Sequence, residues 1–152
     1  RVIRPGEKFT LGCIEIEAIP ADHGWQSMDV EKYGAPFGPE DCVGYILRTP
    51  HAKLLFPGDT RLMPQHRALP DDFDAMAFDV SADPWHMGAR DGAELARHLS
   101  RAKLLPCPFG TYDAPEAVPH NGSLILAREA LGDAAARLAS DAIGAPVIFG
   151  AE

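Results

Sequence analysis

The first half of the chain alternates between apolar and polar positions. In CIEIEAI (13–19), Ile14, Ile16 and Ala18 alternate with Cys13, Glu15 and Glu17, the period of two that a strand with one wet face requires. Pro20 then ends the strand. VGYILR (43–48) and KLLF (53–56) flank TPHA, a connection that suits an antiparallel hairpin. Residues 24–42 are polar and broken by glycine and proline, which predicts a long surface loop without a regular element. Beyond Asp59 the period changes. FDAMAFDV (73–80) reads as a short apolar strand, and ARDGAELARHLSRA (89–102) as a helix with Ala89, Ala93, Ala96 and Leu99 on one face and Leu95 beside them. KLLP (103–106) is strand-like. SLILAREALGDAAARLAS (123–140) repeats the helical period through Leu124, Ala127, Leu131, Ala134 and Leu138, with Ser123 as N-cap, and PVIFG (146–150) is a last strand. Strands followed by β-α-β-α-β predict an α/β (α+β) domain with helices on at least one face of its sheet. With no repeat or linker, residues 1–152 read as one domain.

Composition narrows the class. The chain has 152 residues, 46% of them hydrophobic, enough for a real core. Its formal net charge of −8, with no Lys/Arg stripe, excludes a nucleic-acid backbone as a natural partner. Three cysteines, at 13, 42 and 107, form no C-x-x-C pair; the odd count suits reduced, buried thiols and a cytoplasmic location. No apolar run reaches the roughly 18–20 residues of a membrane span, and no signal-peptide core is visible at the N-terminus. The chain starts at Arg1 rather than Met, which suits a fragment, a processed product or one chain of a larger assembly.

Candidate chemistry gathers where strands end. His23 follows Ile19-Pro20-Ala21-Asp22, and Asp59 follows LLFPG, so both are launched from rigid elements, the usual mounting for a functional side chain. An imidazole and a carboxylate are half of a site for a borderline divalent cation: Zn²⁺ first, with Mn²⁺ and Fe²⁺ also compatible. His86 stands just before the 89–102 helix, with pocket lining and a plain structural role equally open. Asp22, Asp79 and His120 are weaker candidates. Cys107, Thr111 and Asp113 ride on a Pro/Gly loop after 103–106, where a buried, inert thiol is the expected state of Cys107. His51, His66 and His98 read as surface residues. A small-molecule pocket beside His23 would draw on Trp25, Tyr33 and Phe37 of the 24–42 loop.

Three segments resemble, in order, the C-terminal half of metallo-β-lactamase-superfamily proteins, closest to the ascorbate-6-phosphate lactonase-like branch of Zn-dependent hydrolases. GEKFTLGCIEIEAIPADHG is similar to the strand that leads to a metal-binding histidine, here His23. GYILRTPHAKLLFPGDTR is similar to the hairpin that ends in Gly-Asp-Thr, whose aspartate bridges two metals, here Asp59. HMGARDGAELARHLSRAKLLPCPFGTYDAPE resembles a Met-containing loop opening a helix, with a following strand that carries Pro-x-His-x-Gly-Thr. Two departures stand out: the H-x-H-x-D-H signature is absent, and Pro108 occupies the position of the last motif's histidine. The resemblance implies half of an αββα sandwich, a mixed sheet with helices on one face. It also implies a metal-dependent hydrolase of a small-molecule ester, lactone or phosphoester in which only His23 and Asp59 carry over as ligands; His86 is a candidate catalytic residue beside them by its place before the helix. A partner chain, or further copies of this one, would then cover the exposed sheet face and complete the site. The alternatives are a degenerate, non-catalytic half-domain used for binding or assembly, and a thiol enzyme pairing Cys107 with His86 or His120.

Overall fold

The computed structural model describes residues 2–24, 29–34, 38, 41–81, 84–107, 122–139 and 145–148. Six strands form one sheet in sequential order: β1 (Lys8–Leu11), β2 (Ile14–Pro20), β3 (Val43–Arg48), β4 (Lys53–Phe56), β5 (Ala75–Phe78) and β6 (Lys103–Pro106). The pairs from β1 to β4 are antiparallel, and β4-β5-β6 are parallel. The sheet is therefore mixed, as expected. Parallel neighbours need a crossover, supplied by α2 (Pro64–Arg67) between β4 and β5 and by α3 (Gly88–His98) between β5 and β6.

One sheet face holds the core. Ile46, Leu55, Met76 and Leu104 stand in register across β3 to β6 and are all buried. They belong to one cluster with Ala93, Leu95, Ala96 and Leu99 from α3 and its C-terminus, and with Ala127 and Leu131 from α4 (Leu124–Leu131). At roughly 1.5–3 kcal/mol per large apolar side chain removed from water, this layer is the main source of stability. Gly92 lets α3 lie close on β5, since a Cβ there would stand 2.9 Å from the carbonyl oxygen of Asp79. Arg137 holds the far end of α3 by donating to the Ala96 carbonyl in its last turn, where a helix leaves oxygens without intrahelical partners, and to the carbonyls of Leu99 and Ala102 just beyond it.

The opposite face is also apolar but only half-buried. Phe9, Ile16, Leu47 and Leu54 form a row in register across β1 to β4. At the outer edge of β6, the Ala139 N–H donates to the Leu104 carbonyl at 2.8 Å, and Leu138 bridges to Leu104 in parallel. Among the described residues, no helix is long and apolar enough to cross a membrane.

Several expectations are corrected. The segment leading into β2 holds two strands, β1 and β2, joined at Gly12 with φ +60°. The 24–42 loop contains one helical turn, α1 (Val30–Tyr33), capped by the Asp29 carboxylate. The helix expected over 89–102 ends at His98, where the Leu99 N–H still reaches the Leu95 carbonyl but the backbone turns away. The helix expected over 123–140 is α-helical only to Leu131, with Ser123 capping it as expected. Gly132, at φ +57°, then turns it into a 3₁₀ segment over Gly132–Arg137. The described part of the expected last strand, 146–148, forms no regular element. The cysteines are not buried: Cys13 and Cys107 are exposed and Cys42 is intermediate.

His66, expected at the surface, is 1% exposed. Its Nδ1 accepts from the Met63 N–H at 3.1 Å, which leaves the proton on Nε2, a buried atom with no hydrogen-bond partner among the described residues. Burial, with the nearby Arg67 charge, lowers its pKa from 6.5 to about 4. Between these values the unfolded chain takes up a proton that the folded chain refuses, so stability falls as pH drops from about 6.5 toward 4. At about 1.4 kcal/mol per pH unit, the loss is roughly 3 kcal/mol. His66→Asn keeps an acceptor for Met63 and does not titrate; urea denaturation of this variant between pH 7 and 4 is expected to show a flatter acid limb than the parent.

Candidate metal centre

Strand direction assembles the site. β2 and β4 are each antiparallel to β3, and β5 and β6 are parallel to β4. Four C-terminal strand ends therefore share one edge of the sheet. They deliver Asp22 and His23 after β2, Asp59 after β4, Asp79 after β5 and Cys107 after β6.

The turn carrying Asp59 is shaped by two close backbone approaches. Pro57 and Gly58 fold back over β3, and a Cβ on Gly44 would stand 2.2 Å from the Pro57 carbonyl oxygen. Gly58 sits at φ +79°, and a Cβ there would lie 2.8 Å from the Val43 oxygen. Thr60, fully buried, then ties this turn to the one after β2. Its hydroxyl accepts from the Asp22 N–H at 2.8 Å and donates to the Arg61 carbonyl at 2.9 Å. The Arg61 N–H donates to the Asp22 carbonyl at 3.0 Å, and its guanidinium meets the Asp22 carboxylate at 2.7 and 3.1 Å. An exposed ion pair of this kind adds little stability; its effect is to hold His23 and Asp59 side by side.

His86 joins them. Its Nε2 lies 3.5 Å from Asp59 Oδ1, and its ring centroid lies 5.1 Å from that of His23 at an interplanar angle of 54°. One donor atom from each of His23, Asp59 and His86 falls within 4.8 Å of the others. Bonds of 2.0–2.2 Å to a tetrahedral ion separate its ligand atoms by about 3.4 Å. The Asp59–His86 spacing matches that edge. Two imidazoles and a carboxylate, one position short of four, fit a Zn²⁺-type catalytic ion. The His86 side chain is 11% exposed and Asp59 66%, so the set opens to solvent on the carboxylate side.

The other candidates separate. Asp79 is buried, its Oδ1 accepting from the Ser81 N–H and its Oδ2 from the Met87 N–H, both at 2.9 Å. Burial raises its pKa, against these amides and His86, which lower it; Asp59 adds to the rise. Asp79 and Cys107 line a cavity of about 120 Å³ with Asp59, Gly58, Pro57, Phe56 and Ala77. Although Cys107 is exposed as a residue, partial desolvation of its sulfur and the charges of Asp59 and Asp79 push the thiol up, which keeps it un-ionised and counts against a thiol nucleophile. His51 and His98 are exposed, as expected. Trp25, Phe37, Pro108, Thr111, Asp113 and His120 lie outside the described residues. Sequence reasoning passed over Gly44 and gave no role to the Thr60 hydroxyl, although the Thr of Gly-Asp-Thr was the available signal.

A family model described as a beta-lactamase superfamily domain matches residues 1–107. A comparison with curated proteins returns no match. Among solved structures, the chain is similar to a provisionally assigned metal-dependent hydrolase of Parabacteroides distasonis, at 25% identity and TM-score 0.62, over 91% of this chain and 56% of that one. It is also similar to isothiocyanate hydrolase from Delia radicum gut bacteria, at 16% identity and TM-score 0.71, over 99% and 60% of the two chains. A metallo hydrolase of the archaeon Ignicoccus hospitalis follows at 15% identity and TM-score 0.60, over 87% and 52%. The last two likenesses concern the fold alone. The chain spans between half and three fifths of the length of each of these proteins.

Gly44→Ala places a methyl group against backbone that cannot rotate away, and is expected to cost about 3 kcal/mol or more. Thr60→Val strands the Asp22 N–H and is expected to cost about 1–3 kcal/mol. Urea denaturation midpoints measure both.

Proposed function

The chain belongs to the beta-lactamase superfamily, and from that premise we propose that it is a metal-dependent hydrolase whose ion is held by His23, Asp59 and His86. The convergence of these three donors at one sheet edge carries the reading. When bound, a divalent ion supplies Lewis acidity and a water acidified toward neutral pH. The chain's own part is positional. The Thr60 and Arg61 contacts hold His23 against Asp59, and His86 closes the set from the start of α3. The open Asp59 side admits the substrate, and Asp59, as the exposed carboxylate, can accept a hydrogen bond from an entering water.

Zn²⁺ is the ion proposed, since two imidazoles favour a borderline cation over Mg²⁺ or Ca²⁺; Mn²⁺ and Fe²⁺ accept the same donors. The substrate class proposed is a small ester, lactone or phosphoester, in keeping with the lactonase-like branch that the three quoted segments resemble. A partner segment is proposed to cover the half-buried row of Phe9, Ile16, Leu47 and Leu54. The chain's partial span of its structural relatives supports this, as does the resemblance of the three quoted sequence segments to the C-terminal half of the family.

The test is equilibrium Zn²⁺ binding followed by hydrolysis of a panel of aryl esters, lactones and aryl phosphates. His23→Ala and His86→Ala are each expected to weaken Zn²⁺ binding at least tenfold and to abolish any turnover. A parent chain that binds no divalent ion would sink the reading and favour a non-catalytic binding module.

A further inference from the structure

We propose that Asp79 is a positioning residue: its carboxylate bridges the backbone amides of Ser81 and Met87, and this bridge sets where the His86 imidazole stands relative to His23 and Asp59. The inference rests on the reading of those three side chains as a metal centre.

Asp79 leaves the end of β5 and is 5% exposed, with one oxygen on the Ser81 N–H and the other on the Met87 N–H. The second bond spans eight residues and ties the start of α3 back to the strand that precedes it. Met87 is the N-cap of α3 and makes no side-chain cap bond, so the Asp79 carboxylate does the work of a cap. A carboxylate at the N-terminus of an eleven-residue helix also meets the positive end of its dipole. The Met87 side chain is buried in the core. With that side chain and the N–H both held, the planar 86–87 peptide has its orientation set, and His86 keeps little freedom beyond its own side-chain torsions.

The surroundings remove the remaining slack. A Cβ on Gly92 would stand 2.9 Å from the Asp79 carbonyl oxygen, and one on Gly88 would stand 2.9 Å from the Ser81 carbonyl oxygen. The first turns of α3 therefore rest on the backbone of 79–81 without intervening side chains. Each Asp79 oxygen already accepts from a backbone amide, and the bond to Met87 gives the carboxylate its route to the ion through His86.

Asp79→Asn keeps the shape and one accepting oxygen, but turns an NH₂ group toward an N–H donor. In the full chain, Zn²⁺ affinity measured by competition with a chromophoric chelator is expected to fall about 10- to 100-fold, the scale for groups that orient a ligand, with an unchanged far-UV spectrum. In a His86→Ala background the same change is expected to cause no further loss, because the two residues act as one unit. Leu131→Ala, in the core and remote from the site, is expected to lower stability and leave the affinity alone. Unaltered affinity in Asp79→Asn would overturn the proposal, and so would an undiminished loss on top of His86→Ala, which would make Asp79 act independently. If Asp79→Asn does not fold, Asp79→Ser carries the same cycle. Should the parent bind no Zn²⁺, the metal reading fails separately. The His23–His86 ring contact, followed by proton NMR, then decides: its loss in Asp79→Asn supports positioning, and its retention refutes it.

Discussion

Two antiparallel steps make one parallel relation. Because β3 runs against both of its neighbours, β2 and β4 finish at the same edge, and the parallel β5 and β6 finish there too. Every group discussed at the site follows from that direction. A sheet that was antiparallel throughout would still bring the ends of β2 and β4 together, but it would send the end of β5 to the opposite side, and His86, which follows β5, would be carried away from His23 and Asp59. The crossovers through α2 and α3 are what the parallel half requires, and they also bury one face of the sheet.

Edge placement alone leaves side chains several ångströms adrift. The finer adjustment comes from backbone contacts that carry no chemistry themselves: the turn at Pro57 and Gly58 lying on Gly44, and the Thr60 hydroxyl shared between Asp22 and Arg61. The donors lie in a graded environment. His86 is nearly enclosed, whereas Asp59 faces solvent. The site is thus most open at the carboxylate and most enclosed at the His86 imidazole.

Much of this was legible in the sequence because the signals were local. VGYILR, KLLF and KLLP announce strands by their own composition, and those three strands have the bounds read from the sequence. The placement of His23 and Asp59 followed from strands that visibly end. What escaped was information held between segments. Gly44 is one glycine in an apolar strand until Pro57 is known to cross it. His66 sits between Gln65 and Arg67, and nothing nearby in sequence marks it as buried. Asp79 and Met87 are eight residues apart, and only the turn of the chain between them makes a cap of the carboxylate. The end of α4 was misread for the opposite reason: the alanines and leucines keep a helical period through Gly132, where the backbone leaves it.

The short bridge between Leu104 and Leu138 has a consequence for how copies of the chain behave toward one another. A free edge strand is a template on which another chain can pair and extend the sheet, the first step toward aggregation. By occupying the Leu104 carbonyl, Ala139 takes away one of the hydrogen-bonding positions that a foreign strand would need along the outer side of β6. The opposite edge, β1, is four residues long and carries Lys8 in an ion pair with Glu17. Between an edge with one position taken and a short, charged one, the described sheet offers an approaching strand fewer places to pair.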